Sequence, residues 1–377
     1  MRAVVFTNPA EPVRVTDVDL DPPGPGEVRV RIAAAGVCHS DLHVRRGDWP
    51  VPAPLVMGHE GAGMVVEVGP GVTGLEEGDH VVLSWVAPCG RCRYCLAGRE
   101  ARCELAATVV GPRGVLSDGT SRLSAGGQRI SHYLGVSSFA EFAVVPESGA
   151  IKIRDDAPLD VVALIGCAVA TGVGAVMKTA AVERGASVVV IGCGGVGLSI
   201  VQGARLAEAG RIVALDLRPE KTALAARLGA TDQVDAATAD PVAAVRDLLP
   251  GGADYAFDAI GLARTTEQAI GMLGLGGAAV IVGLPPAGAT ASFEPLALAE
   301  SDQRILGSNY GGIRPAIDIP ALVDRFMGGE LMLNELVSGR EPLESAESAL
   351  AELATGRALR TLLIPGQFGQ RGLHIWP

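Results

Sequence analysis

Seven residues of this chain could hold a metal, and they fall into two sets. Cys89, Cys92, Cys95 and Cys103 sit in one short segment with C-x2-C-x2-C-x7-C spacing. Four thiolates so placed can close a tetrahedral shell around zinc with no water in it, which is the pattern of a structural site. Cys38 and His59 stand 21 positions apart, and Cys167 follows at a distance. These three supply only three protein ligands and leave a fourth position for water or substrate, which is the pattern of a catalytic site. Cys193 is left over and reads as a small buried apolar residue. An odd number of cysteines, mostly in ligand-like spacing, points to metal binding in a reducing compartment rather than to a disulfide framework.

A second motif binds a different kind of ligand. Gly192-Cys193-Gly194-Gly195-Val196-Gly197 follows the strand-like run Val188 to Ile191 and opens a helical pattern from Val196 to about Ala209. In that context each glycine has a reason: Gly192 for the tight turn, Gly194 for close approach of a pyrophosphate, Gly197 for packing of helix on strand, with the helix N-terminus facing the anion. Asp216 ends the next strand-like run, Arg211 to Asp216, 19 residues after Gly197. A carboxylate there accepts from the adenosine ribose hydroxyls and repels a 2′-phosphate, so NAD is expected over NADP, with Arg218 softening the preference.

The elements that must position these groups differ along the chain. The first half is β-rich: Glu27 to Ile32 alternates Val28, Val30 and Ile32 with arginines, and Gly63 to Val68 and His80 to Trp85 are further short strands. From Ser187 the pattern becomes strand, helix, strand, helix, which implies a parallel sheet. A length of 377 residues with 48% apolar content predicts two domains. The net charge of −11 argues against a nucleic-acid partner. The apolar run Val161 to Met177 is too short for a membrane span and carries Gly166, Gly172 and Gly174, so neither membrane association nor a signal peptide is expected. The expected location is the cytoplasm.

These motifs together resemble the zinc-dependent alcohol dehydrogenases of the medium-chain dehydrogenase/reductase superfamily. The resemblance covers nearly the whole chain. It runs through Gly36-Val37-Cys38-His39-Ser40-Asp41, Gly58-His59-Glu60-Gly61-Ala62-Gly63, the four-cysteine lobe, Asp118-Gly119-Thr120-Ser121-Arg122, Gly166-Cys167, the Gly192 turn and Leu359-Arg360-Thr361. It implies an α/β protein: a β-rich, GroES-like catalytic domain over residues 1–168, a Rossmann doubly wound parallel sheet over 169–308, and a segment 309–377 that returns to the catalytic domain. The length and the segment Gly111 to Tyr133 look like the longer, class I and class III branches, which implies a homodimer.

The resemblance also implies roles. Cys38, His59 and Cys167 would bind the catalytic zinc, Cys167 owing its place mainly to the family pattern, and the lobe a second, structural zinc. Glu60 would lie behind the catalytic metal, Asp41 would hold the imidazole of His59, and Ser40 and His43 would carry the alcohol proton outward. His39, Thr171, Gly195, Val196, Arg218, Lys221 and Arg360 would join the Gly192 turn and Asp216 around NAD. Trp49, Trp85, Tyr133, Leu134, Leu284 and Tyr310 match the alcohol pocket, and two tryptophans would narrow it to unbranched or flat primary alcohols, aliphatic or benzylic. An alternative activity is oxidation of a formaldehyde–thiol adduct. The glutathione-using branch carries an arginine four residues after the last structural-zinc cysteine, where this chain has Ala107. That departure weakens the glutathione version and leaves a mycothiol version open. A further alternative is a nicotinoprotein that retains its dinucleotide and uses an external acceptor.

Overall fold

The computed structural model describes residues 1–366. The chain divides into two compact units, one of Met1–Cys167 with the segment from Arg314 onward, the other of Ala168–Ile313.

The first unit is built on a seven-stranded, mostly antiparallel sheet. Its central strand β1 (Glu27–Gly36) pairs antiparallel with β2 (Gly61–Val68) and with β3 (Phe142–Pro146). Alternation along β1 buries Val28, Val30 and Ile32, and these pack in one core with Val65, Leu83 and Phe139. A six-stranded sheet lies beside it in the same unit. Helix α1 (His39–Arg46) follows β1 directly, so the end of the central strand delivers Cys38 to the start of a helix.

The second unit carries six parallel strands in the order expected of a doubly wound sheet. Its helix α2 (Ala168–Gly174) is buried throughout. Strand β4 (Ser187–Ile191) leads into α3 (Gly195–Leu206) and pairs parallel with β5 (Arg211–Asp216). Strand β6 (Arg304–Gly307) forms one edge. The chain leaves this unit after Ile313 rather than at 308. The reason is packing: Gly311 lies so close to α2 that an added methyl would stand 2.6 Å from the Ala170 carbonyl, and Ile313 abuts Gly174. The first unit is completed by helix α4 (Ala346–Ala354) and strand β7 (Arg360–Ile364), which pairs with β1 at Ala35 and Gly36.

Among the described residues no single helix is long and apolar enough to cross a membrane. The apolar run from Val161 breaks at Cys167, where the flanking helical segments bend by 51°.

Candidate functional site

Cys38 caps α1 in an extended conformation. Its N–H donates to Asp41 Oδ2 at 3.0 Å, one half of a reciprocal capping box. The other carboxylate oxygen, Oδ1, lies 3.4 Å from His59 Nδ1, and both side chains are buried. A carboxylate only accepts, so Nδ1 carries the hydrogen and Nε2 is left as the ligand atom. Cys167 reaches the same point from the bend before α2. The ligand atoms of Cys38, His59 and Cys167 all lie within 4.8 Å of one another.

These residues fit a zinc ion. His59 Nε2 is buried without a hydrogen-bond partner, a costly arrangement unless something else satisfies it. The hydrogen bond with Cys167, helped by the charges of Arg360 and His59, outweighs burial and holds the Cys38 thiol well below its ordinary range. The same shared proton, together with burial, pushes Cys167 up. Burial opposes a charge on His59, but Asp41 and Cys38 outweigh it, so its pKa is raised. The sulfurs of Cys38 and Cys167 and the imidazole of His59 converge on one point that suits a cation.

Around this set stand the groups that could move a proton. Ser40 Oγ is 3.9 Å from Cys38 Sγ. Tyr133 donates its hydroxyl to the Ser40 carbonyl at 3.1 Å, and its ring meets His59 edge-on at 5.4 Å. Burial, with the nearby charge of Asp41, raises the Tyr133 phenol, so it stays protonated and remains a donor. Tyr133 thus contacts both Ser40 and His59, which its pocket assignment alone does not include. His43 lies one turn along α1, with Nδ1 2.8 Å from Asp48 Oδ2 and its ring stacked on Trp49.

The four-cysteine lobe converges without a sheet to hold it. Three of the four sulfurs accept from the backbone of another cysteine of the lobe: Cys89 N–H to Cys103 Sγ at 3.3 Å, Cys92 N–H to Cys89 Sγ at 3.4 Å and Cys95 N–H to Cys92 Sγ at 3.5 Å. Such donors favour the thiolate. The Cys95 N–H is the largest of the causes that lower Cys92 to about 6. Burial, then the hydrogen bond with Cys92, lifts Cys95 to about 12.

The glycine turn in the second unit has the form its sequence predicts. Gly192 has a φ of 93°, a conformation glycine adopts freely. A methyl on Gly197 would fall on the Gly192 carbonyl oxygen, whereas one on Gly194 would meet no protein atom. Asp216 does more than end β5: Oδ2 accepts from the Cys193 N–H at 2.8 Å and Oδ1 from the Arg218 N–H at 3.0 Å. Lys221 is near enough to feel that carboxylate, but burial dominates and lowers its pKa.

Comparison with known proteins decides the family. The family described as alcohol dehydrogenase GroES-like domain matches residues 24–155, and that described as zinc-binding dehydrogenase matches residues 195–327. The chain belongs to the zinc-dependent alcohol dehydrogenase family. An S-(hydroxymethyl)glutathione dehydrogenase of a Synechocystis strain is 40% identical over 96% of this chain and 99% of its own. A probable S-(hydroxymethyl)glutathione dehydrogenase of Schizosaccharomyces pombe is 38% identical, over 96% of each. Among solved structures, an alcohol dehydrogenase zinc-binding domain protein from Burkholderia ambifaria shares 38% identity with a TM-score of 0.92. It covers 97% of this chain and 99% of its own. The benzyl alcohol dehydrogenase of Acinetobacter calcoaceticus shares 32% identity with a TM-score of 0.91, over the same shares.

In this member of the family the residues expected around the dinucleotide and the alcohol have the following surroundings. Arg360, expected against a pyrophosphate, is buried, with Nη2 3.5 Å from Cys38 Sγ and Nε 3.4 Å from Glu60 Oε1. The pairing of β7 with β1 brings it there, and the charges of Cys38 and Glu60, outweighing burial, raise its pKa. Tyr310, expected in the alcohol pocket, is fully buried in the second unit. It lies next to Gly311, whose close packing on α2 holds that segment in the core. Leu284 is half exposed in the same unit, and Thr171 is buried in α2. Trp49, Trp85 and Leu134 pack against the core of the first unit. His39 opens α1 and is exposed, and Ala107 is exposed after the lobe.

Proposed function

We propose that this protein oxidises primary alcohols, aliphatic or benzylic, to aldehydes reversibly, with NAD as hydride acceptor and two zinc ions per chain. The observation that carries the reading is the buried three-ligand set of Cys38, His59 and Cys167 with the Ser40 hydroxyl beside it. Zinc held there would act as a Lewis acid on the alcohol oxygen. The chain's own residues do the rest. Asp41 fixes the His59 ring, Tyr133 fixes the Ser40 backbone, Ser40 takes the hydroxyl proton, and His43 passes it to solvent. Gly194 leaves open backbone for the dinucleotide pyrophosphate, and Asp216 supports NAD over NADP.

The relatives named for S-(hydroxymethyl)glutathione favour a second reading, a formaldehyde–thiol adduct as substrate. Ala107, which offers no cation for a carboxylate, weighs against glutathione as that thiol.

The test is absorbance at the NADH band with benzyl alcohol, a straight-chain alcohol series, and formaldehyde with glutathione or mycothiol. Alcohol-dependent NADH formation, lost to a chelator and restored by zinc, is expected. Faster turnover of either formaldehyde–thiol mixture than of any alcohol overturns the alcohol reading. A bound-dinucleotide spectrum in the purified protein, without free NADH forming, points to an external acceptor. In the same assay Trp85→Ala should raise relative kcat/KM for bulkier alcohols by roughly tenfold, the scale of one or two methylenes in a pocket. Unchanged ratios across the size series remove Trp85 from the pocket.

A homodimer is also proposed. Edge strand β6 offers unpaired backbone, with Ile305, Phe293 and Leu296 exposed in the same unit, and such an edge is a template for pairing. Light scattering should give twice the chain mass, and a monomer at micromolar concentration contradicts the proposal.

A further inference from the structure

The imidazole of His43 is held from two sides by residues just beyond the end of its own helix. Nδ1 lies 2.8 Å from Asp48 Oδ2. The ring stacks on Trp49 with centroids 4.6 Å apart and planes inclined by 21°. Both contacts follow from how α1 stops. Gly47 takes a left-handed conformation, φ 77° and ψ 16°, and its N–H bonds to the carbonyls of His43 and Val44. The Asp48 N–H bonds to the His43 carbonyl at 2.9 Å. That double closure is the usual way a glycine ends a helix, and here it turns the next two side chains back onto the ring of His43. Of the two arginines in the last turn, Arg45 does not compete for Asp48. Arg45 is committed to the Glu347 carboxylate on α4 through Nε and Nη2, and to the Pro9 carbonyl through Nη1.

We propose that Asp48 is a positioning residue for the proton relay: it fixes His43 in the Nδ1–H tautomer and leaves Nε2 as the atom that takes the proton. This rests on the alcohol dehydrogenase reading above. The chemistry allows one assignment. An ionised carboxylate has no hydrogen to give, so the hydrogen in this contact belongs to Nδ1, and in the neutral ring Nε2 then keeps its lone pair. Turning the ring over would put a carbon where Nδ1 stands and lose the bond to Asp48, and stacking on Trp49 restrains the ring in its plane. The proton balance is simple. One proton leaves the alcohol oxygen through the Ser40 hydroxyl and arrives on Nε2, and the partly exposed imidazolium returns it to solvent. No further reactant is needed.

Asp48→Asn tests this, because the amide keeps the shape of the carboxylate and can present a donor to Nδ1. Long-range 1H–15N spectra of the zinc-loaded protein, with His43→Gln to assign the signals, should show the Nδ1–H form in the unaltered chain. In Asp48→Asn they should shift toward Nε2–H. The kcat for alcohol oxidation should fall roughly tenfold, less than the roughly 100- to 10,000-fold that removing a proton-transfer group costs, because His43 itself remains, with KM within about twofold. Asp48→Glu should recover most of the rate. In a His43→Gln background Asp48→Asn should have no further effect, which a merely structural role for Asp48 would not produce. An Nε2–H ring in the unaltered protein overturns the proposal, as does an Asp48→Asn protein with unchanged tautomer and rate. If no alcohol is turned over, the function proposed above fails, and the spectra still decide the tautomer.

Discussion

Replacing Asp41 by alanine is expected to cost the catalytic site about 10- to 100-fold in zinc affinity, the usual penalty for losing the carboxylate behind a ligating histidine. One buried side chain serves two ligands here: Oδ2 receives the Cys38 N–H and Oδ1 faces His59 Nδ1. Alanine leaves the cap donor of α1 unpaired in a buried place, worth about 1–3 kcal/mol, and lets the imidazole choose its tautomer. Asp41→Asn separates the two effects. Its amide oxygen can still accept from Cys38, so thermal stability should stay close to that of the unaltered protein, while zinc affinity falls. Competition with a chromophoric chelator reads the affinity. If Asp41→Ala holds its catalytic zinc as tightly as the unaltered chain, Asp41 does not orient His59. The lobe of Cys89, Cys92, Cys95 and Cys103 serves as internal control, because its zinc should be unaffected.

The second large effect belongs to the glycine turn, where two neighbouring glycines should fail in opposite ways. Gly197→Ala places a methyl on the Gly192 carbonyl oxygen, and backbone on that side cannot swing away as a flexible side chain would. A loss of roughly 3 kcal/mol is expected, the upper range for overpacking, and should appear as an earlier melting transition. Gly194→Ala meets no protein atom. It should melt like the unaltered chain yet bind NADH at least tenfold more weakly, because its methyl occupies the space a pyrophosphate would enter. Melting curves and NADH fluorescence titrations of the two variants read this directly. Equal melting temperatures for both variants would contradict the packing role of Gly197, and full NADH affinity in Gly194→Ala would remove the pyrophosphate from that turn.

Much of the fold can be read along the chain because its determinants are local. Strands such as Arg211–Asp216 and helices such as Pro219–Leu228 match their sequence patterns residue for residue, since a continuous apolar run, a proline at the first helical position and a following glycine all agree. The four-cysteine lobe is equally legible, because thiolates in such spacing have few other uses, whereas Cys167, distant in sequence, owes its place to the family pattern. What sequence does not carry is the direction of a long side chain. Arg360 matches a phosphate contact by position, and pairing of β7 with β1 also sets its guanidinium against Cys38 and Glu60, two groups far away in sequence. The burial of Tyr310 is likewise not written in its own segment, since it follows from the close packing of Gly311 on α2. Asp48 is hard to read from the sequence because it lies beyond the helix whose His43 it meets; the available signal is Gly47, a helix stop that folds the next residues back over the last turn.

The double grip of Asp216 has a consequence for how this enzyme could change over time. The carboxylate suited to the ribose hydroxyls also anchors the backbone of Cys193 and Arg218. A drift toward a phosphorylated dinucleotide would begin by replacing that carboxylate, and would thereby release the N–H of the turn itself. On the proposed role of Asp216, coenzyme choice and the shape of the turn would therefore be inherited as one trait. A lineage leaving one would first have to evolve a substitute for the other, because any substitution at Asp216 also frees the Cys193 and Arg218 N–H groups.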